Sequence, residues 1–364
     1  LPLGAWAEEY EDGDITYTYT HSGTTASVKS IKTDATAATI PTTITISETE
    51  YTVTSIAENA FSGCTKLGRT TIPNATILTA MSNVTLSSLP IAACISYDGI
   101  DYYHQGTWKS GDHFKVGSGS SKAIPSAIAN INILEALCGI AVTEIADNAF
   151  KNVTGNVTIP QSITTITTLS FVQNKLTKIT VDYANENYKS EGDVLFSKDG
   201  KTLISFPANK TNTYTIPDGV TIIGNEAFNN HTTLTSLTIP ASVTTINQSA
   251  FQYAGKDASS FTVTINGNSL TTLGKSAFQE SGLTSITLPE GLTTIGEQAF
   301  QKCTKLTAIN LPSTLTPVTG SPLSVGGSAF NGCSSLTTIN FSKSAYTNTT
   351  IGANAFLDCP LSNT

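Results

Sequence analysis

The residues of this 364-residue chain best suited to nucleophilic, redox or metal chemistry are six cysteines and four histidines. Their spacing argues against all three uses. No two cysteines form a Cys-x-x-Cys pair, and none has a histidine three to five residues away, as zinc sites require. His21, His104, His113 and His231 stand outside metal spacing from one another. Gly-x-Ser-x-Gly, His-Glu-x-x-His and a phosphate-binding glycine loop with its lysine are all missing from the sequence. Asp12-Gly13-Asp14 and Asp98-Gly99-Ile100-Asp101 carry carboxylates that could touch calcium, but Asp-Gly pairs belong first to hairpin turns. The sequence therefore offers no carrier of catalysis, no cofactor and no metal site.

Cys64, Cys303, Cys333 and Cys359 each stand three residues after the Phe of an Ala-Phe dipeptide. A constant phase marks a stacking position in a core, where a free cysteine behaves as a small hydrophobe. The same slot elsewhere holds Val153, His231, Ala254 and Ser281, a mixture that no metal or redox site would tolerate. Cys94 and Cys138 lie out of this phase and could pair with each other in an oxidising compartment.

Composition narrows the classes further. Nineteen basic against twenty-seven acidic residues give a net charge of −8, which excludes the concentrated basic surface of a nucleic-acid binder. The most apolar stretch, Ile133 to Val142, is half the length a bilayer needs and contains Glu135, so no membrane span is expected. Six cysteines are too sparse for a disulfide scaffold. Leu1-Pro2-Leu3-Gly4-Ala5-Trp6-Ala7 followed by Glu8-Glu9 fits the end of a signal peptide with a small-x-small cleavage site, or else an apolar first strand.

The elements that would position any site come from an internal repeat. Ala-Phe recurs at Ala60-Phe61, Ala149-Phe150, Ala227-Phe228, Ala250-Phe251, Ala277-Phe278, Ala299-Phe300, Ala329-Phe330 and Ala355-Phe356, with Ser170-Phe171 as a degenerate copy. A second anchor, Ile/Leu-Pro, keeps phase with it at Ile72-Pro73, Ile159-Pro160, Ile216-Pro217, Ile239-Pro240, Leu288-Pro289 and Leu311-Pro312. Two anchors in phase signal a solenoid. In the unit from Leu283 to Cys303, Ile286 and Leu288 alternate with Thr287 as in a short strand, and Pro289 ends it for want of an N–H. Apolar positions then fall three and four apart, predicting one turn of α- or 3₁₀-helix around Ala299-Phe300. Such a unit cannot bury its apolar face alone, so stacking folds it.

This pattern resembles the leucine-rich repeats of the BspA-like class of bacterial surface proteins. Their hallmark is Leu-x-x-Ile-x-Ile-Pro followed by Val-x-x-Ile-Gly-x-x-Ala-Phe-x-x-Cys. Leu234, Leu237, Ile239-Pro240, Val243, Ile246 and Ala250-Phe251 match it closely, and the resemblance covers most of the chain from about residue 40. Residues 187–204 resemble the family's hairpin insertion, placed at about 193–206, and Asp199-Gly200 reads as a type I′ turn. The sequence departs from ordinary leucine-rich repeats in carrying Gly291 where the Asn or Cys ladder residue would stand, leaving that turn to the Pro corner and backbone pairing. The resemblance implies a right-handed leucine-rich-repeat β-α superhelix, a parallel sheet with short helical turns. It also implies a secreted or surface-displayed, non-enzymatic bacterial protein acting in adhesion or ligand capture, whose partner is a host or cell-surface protein or glycan. A structural spacer, or a glycan-binding module of a polysaccharide utilisation system, is the alternative.

Residues 74–140 lose the repeat phase, and Ile95-Ser96-Tyr97 reads as a fresh start. The chain is accordingly divided into residues 1–94, a cap with a short repeat segment, and residues 95–364, a second cap-like start and the main solenoid. One continuous solenoid with a bulged insertion is the competing division. Positions between the buried strand residues line the outer face of the sheet. They give Ser236 and Thr238, Ser285 and Thr287, Ala308 and Asn310, Thr338 and Asn340: a small, hydroxyl-rich, uncharged stripe that either stays solvated or makes weak extended contacts with protein or glycan. Tyr102, Tyr103 and Trp108, in the out-of-phase region with Tyr97 and Phe114, form a second candidate surface, or else part of a capping sheet.

Overall fold

The computed structural model describes residues 7–20, 23–81, 84–87, 89–90, 93–106, 112–120, 122–124, 128–315, 324–341 and 350–361. His21, Trp108 and the leader-like residues 1–6 lie outside the described residues. Nearly all regular structure is sheet, with one short helix, Ala75–Ala80, among the described residues. The chain divides into two compact units, residues 1–128, 132–149 and 160–167, and residues 129–131, 150–159 and 168–364.

In the first unit a five-stranded sheet opens on the charged edge strand Glu8–Asp12, whose partner Ile15–Tyr19 turns Ile15, Tyr17 and Tyr19 inward. A second sheet carries Arg69–Ile72, Cys94–Tyr97, Ile100–Gln105, His113–Val116 and Ile140–Ile145 as successive neighbours. The boundary expected after residue 94 therefore runs through a sheet, because Arg69 to Ile72 pair in register with Cys94 to Tyr97. The phase is lost here because antiparallel hairpins replace the repeat. Asp98 and Gly99, at φ 48 and 73, form the two-residue turn joining Tyr97 to Ile100.

The second unit repeats one coil. Its first side is the parallel ladder of Thr213–Thr215, Ser236–Ile239, Phe261–Ile265 and Leu283–Ile286, with Ala308–Leu311 and Thr338–Phe341 beyond. The Pro corner follows, closed by the carbonyl of the proline: Val243 donates to Pro240 over 3.2 Å and Leu292 to Pro289 over 3.0 Å. The second side is a ladder of two-residue strands, Ile222–Ile223, Thr245–Ile246, Thr272–Leu273 and Thr294–Ile295. Gly291 is required rather than merely tolerated, since a Cβ there would lie 1.7 Å from the Asn268 carbonyl oxygen.

The Ala-Phe side differs from the helical turn expected. The residues two before and two after each Phe of the Ala-Phe pairs from Phe228 to Phe356 adopt left-handed backbone, as Ser276, Glu280, Gln298 and Lys302 do at φ 55 to 58, which no helix of L-residues sustains. The alternation points every second N–H at the following coil instead of along a helix axis. Ser276, Phe278 and Glu280 donate to the carbonyls of Glu297, Ala299 and Gln301 over 2.9, 2.7 and 2.8 Å. The phenylalanines then stack in one column, Phe206, Phe228, Phe251, Phe278, Phe300, Phe330 and Phe356, with successive centroids 4.8 to 5.3 Å apart.

The insertion is a three-stranded antiparallel meander of Tyr188–Glu191, Val194–Ser197 and Thr202–Ser205. Its two-residue turn with both φ positive is Gly192-Asp193, not Asp199-Gly200. Only Gly200 is left-handed in the latter, and the Asp199 carboxylate holds that longer turn by accepting from the Ser197 hydroxyl (2.6 Å) and the Lys201 N–H (2.9 Å). Asp193 pins the meander to the solenoid through Lys178 and Lys210, each 3.0 Å away.

Two titratable groups sit inside the Phe228 coil. His231 is 1% exposed and stacked on Phe206, and burial holds its pKa down to about 4. Glu226 is raised by burial to about 7. For His231 the unfolded chain binds the extra proton, so its contribution is present above pH 6.5 and is lost as pH falls towards 4, by roughly 3 kcal/mol. Glu226 works in the opposite sense, since its protonated form is favoured in the fold and stability declines as pH rises from 4.5 to 7. Urea unfolding across pH 4 to 7 is expected to show His231→Phe flattening the acid limb and Glu226→Gln flattening the neutral one. Unchanged pH profiles in both variants would refute the assignment. Phe278→Ala should cost about 3–5 kcal/mol in the same assay.

Candidate functional site

Strand alternation sends Leu237, Val263, Ile286, Ile309 and Ile339 into the solenoid core and the residues on either side of them outward. Two outward rows result. Ser236, Thr262 and Ser285 stand in register in one, followed by Ala308 paired with Thr338. In the other, Thr215 pairs with Thr238 and Thr238 with Thr264, while Thr287 pairs with Asn310 and Asn310 with Asn340. Thr264 and Thr287 themselves follow the paired residues Val263 and Ile286.

Between Leu283–Ile286 and Ala308–Leu311 the ladder narrows to the single bridge of Thr287 with Asn310. Ala308 also places a methyl where the preceding coils carry a hydroxyl. These two irregularities open a groove of about 430 Å³ lined by Thr262, Thr264, Ser285, Thr287, Asn310 and Asn340, with Val263, Ile286 and Ala308 among its apolar contacts. Four of the residues read from the sequence, Ser285, Thr287, Asn310 and Asn340, meet in it. Ser236 and Thr238 continue the rows beyond it, half-buried and outside its lining.

The hydroxyls that line the groove are not spent on the fold, although Thr235, Thr284 and Thr337 of the same ladder donate to carbonyls of the preceding coil. At the start of each rung of the opposite ladder one threonine side chain donates to a carbonyl of the preceding coil: Thr221 to Lys201 (3.3 Å), Thr244 to Thr221 (3.2 Å), Thr271 to Thr244 (3.2 Å) and Thr293 to Thr271 (3.1 Å). Among the described residues, the side chains of Thr238, Thr262, Thr264, Ser285 and Thr287 have no such partner. Asn340 Nδ2 donates to Asn310 Oδ1 over 2.7 Å, which leaves the Asn310 amide N–H groups and the Asn340 carbonyl facing outward. The groove is therefore a neutral lattice of donors and acceptors with no charged group in its lining.

The aromatic candidates separate. Tyr102 is fully buried and its hydroxyl accepts from the Leu134 N–H at 3.1 Å, a core position rather than a presented one. Tyr103 is half-buried beside Cys94, whose thiol is pushed up to about 11 by burial and by Asp101. Phe114 is in the core, T-shaped against His104 at 5.4 Å.

Arg69 escapes the motif reading, although it is the chain's single arginine. It holds Asp101 with a two-point fork, 3.0 and 2.7 Å, and reaches Ser96 at 3.1 Å beside a second groove of about 380 Å³. An amide rail was equally legible in aligned repeats: Asn229 donates to Gln252, Gln252 to Gln279 and Gln279 to Gln301, each one residue after its Phe.

All six cysteines are free thiols, Cys94 and Cys138 included. Cys303, Cys333 and Cys359 each donate to the carbonyl of the Phe one coil earlier over 3.0, 3.0 and 3.1 Å. Contact with Cys303 and burial push the Cys333 thiol far up, and Cys359 rises to about 11, so neither of these two is poised as a thiolate. Among the described residues no three His, Cys, Asp or Glu side chains are placed to hold a metal ion.

With strand, Pro corner, Phe column and thiol column all in place, the chain was compared with known proteins. A profile of the BspA type leucine rich repeat region, in six copies, matches residues 29–154, 126–213, 204–321 and 318–364. The chain belongs to that family. A leucine-rich cell surface protein from Faecalibacterium prausnitzii shares the fold at TM-score 0.50 and 24% identity, over 93% of this chain and 95% of that one. A leucine-rich repeat protein from Eubacterium ventriosum does so at TM-score 0.53 and 18% identity, over 99% and 96%. No curated protein matches the sequence.

The contrast between Thr271, whose hydroxyl donates to the Thr244 carbonyl, and Thr264, which has no such partner, makes a direct prediction. Thr271→Val, which removes a spent hydroxyl, is expected to cost about 1 kcal/mol in urea unfolding, while Thr264→Val stays within about 0.5 kcal/mol of the parent. Equal losses would mean that the groove hydroxyls support the fold after all.

Proposed function

We propose that this chain is a non-catalytic, exported surface protein that captures an extended protein or glycan on the groove of its parallel sheet. The observation that carries the reading is the row of uncharged hydroxyl and amide groups from Thr262 to Asn340, gathered over a groove whose threonine and serine hydroxyls are not spent on the fold. A neutral lattice of this kind recognises by hydrogen bonding and gives no long-range attraction to ions. Family membership and the likeness to a named cell surface protein support display outside the cell. No helix among the described residues is long and apolar enough to cross a membrane.

The test is an array of extracellular-matrix proteins and of host and dietary glycans, probed at two salt concentrations with the parent and with Ala308→Tyr, which fills the groove. Selective binding that survives high salt and drops at least tenfold in Ala308→Tyr is expected. If no probe binds, the capture reading gives way to that of a structural spacer. If binding persists in Ala308→Tyr, the ligand sits elsewhere.

A further inference from the structure

The slot three residues after each Phe holds His231, Ala254 and Ser281 in turn, and then cysteine in three successive coils, Cys303, Cys333 and Cys359. One backbone hydrogen bond separates the last two of these coils, Phe330 donating to the Ala355 carbonyl over 2.7 Å and Gly332 to that of Leu357 over 2.8 Å. Equivalent Cα atoms of neighbours so joined lie about 5 Å apart, inside the window of about 4.4 to 6.8 Å that a disulfide bridges. The side chains repeat the same step. Cys333 and Cys359 donate to the carbonyls of Phe300 and Phe330, and their two thiols are in contact. Access distinguishes the two pairs in the column. Cys303 and Cys333 are both 0% exposed, whereas Cys359 is half-buried and no described coil covers it.

We propose that Cys333 and Cys359 are a modification site, a dithiol that closes to a disulfide by exchange with a small-molecule or protein disulfide and staples the last described coil to the one before it. The Cys359 thiolate first attacks the S–S bond of the reagent, forming a mixed disulfide and releasing one thiol. Cys333 then gives up its proton, attacks Cys359 Sγ and displaces the second thiol. Two cysteine thiols are oxidised, one reagent disulfide is reduced to two thiols, and both protons pass to the leaving thiolates. Burial, with Cys333 and Asp358 beside it, holds the Cys359 thiol up at about 11. Attack is therefore slow at neutral pH and quickens about tenfold per pH unit below that value. Display outside the cell, as proposed above, supplies the compartment in which such a bond persists. The staple acts where the solenoid is least supported. Among the described residues the coil of Phe356 has a neighbour on one side only, and its Ile351 and Leu357 are 50% and 51% exposed.

The experiment treats the folded full chain with oxidised glutathione from pH 7 to 9, then quenches with N-ethylmaleimide, digests and maps the products by mass spectrometry. The expected product is one peptide cross-linked between Cys333 and Cys359, formed about tenfold faster per pH unit, with Cys303 still open to alkylation once the chain is unfolded. Cys333→Ser should stop at the glutathione adduct of Cys359. Cys359→Ser should abolish both products, with circular dichroism checking that each variant keeps the fold. Chymotryptic cleavage after Phe356 and Leu357 is expected to slow at least fivefold in the cross-linked chain and to recover with dithiothreitol. A glutathione adduct that persists on Cys359 in the parent, a bond through Cys303 or between two chains, or pairing only in urea would overturn the proposal. So would the absence of any reaction across this pH range, and unchanged cleavage in the cross-linked chain would refute the staple.

Discussion

Everything in the second unit depends on bringing successive coils to the separation of one backbone hydrogen bond on three sides at once. Two sides achieve this as ordinary parallel ladders. The third must do so while turning a tight corner, and alternating right- and left-handed residues around each Phe achieve it. A helical turn would spend its N–H groups on itself, whereas Ser276, Phe278 and Glu280 spend theirs on the next coil. Non-glycine residues in left-handed backbone carry strain of about 1 kcal/mol or more each, and three bonds to the neighbouring coil offset it. A lone coil has no such neighbour, which is why the repeat has no independent fold.

Once that spacing is fixed, the side chains have little freedom. Rings one coil apart must lie about 5 Å from each other, so a column of phenylalanine stacks, as Phe278 on Phe300 does with planes 1° apart. Residues that approach a neighbouring backbone must shrink: a Cβ on Gly326 would lie 2.3 Å from the Glu297 nitrogen. Polar side chains at a constant phase become rails, whether of amides at Gln252 and Gln279 or of threonine hydroxyls at Thr244 and Thr271. The cysteines obey the same rule. The thiols of Cys303, Cys333 and Cys359 fill the slot behind the Phe and donate to the carbonyl of the Phe one coil earlier, a structural duty.

The parts of this architecture legible in the sequence are those where one residue type is physically mandatory. Pro240 and Pro289 end strands because they lack an N–H, and Ala-Phe recurs because only a small residue and a large ring fill that corner. The left-handed positions were not legible, since Glu226, Ser249, Gln298 and Lys302 share a backbone angle and no side-chain chemistry. The outward stripe could be read from alternation alone, and four of its residues meet in the groove. What alternation could not give is the place where the stripe opens, which follows from a ladder reduced to one bridge at Thr287 and Asn310. Tyr102 shows the converse error: aromatic clustering in an out-of-phase segment suggested a surface, but inward alternation in Ile100–Gln105 buries it. Asp199-Gly200 reads as a tight turn in isolation, yet the register of the meander assigns that geometry to Gly192-Asp193.

The separation of spent from unspent threonines bears on how such a protein changes over generations. Where each hydroxyl holds the coil before it, replacement disturbs two coils, and drift is restrained. Thr262, Thr264, Ser285 and Thr287 in the groove hold no neighbouring coil, so one such rung can be exchanged for another residue without renegotiating its neighbours. Ala308, Asn310 and Asn340 in place of the serine and threonine of earlier coils are such exchanges already made. The scaffold is thereby an alphabet of interchangeable rungs, in which new specificity is written one coil at a time while the spine behind it stays the same.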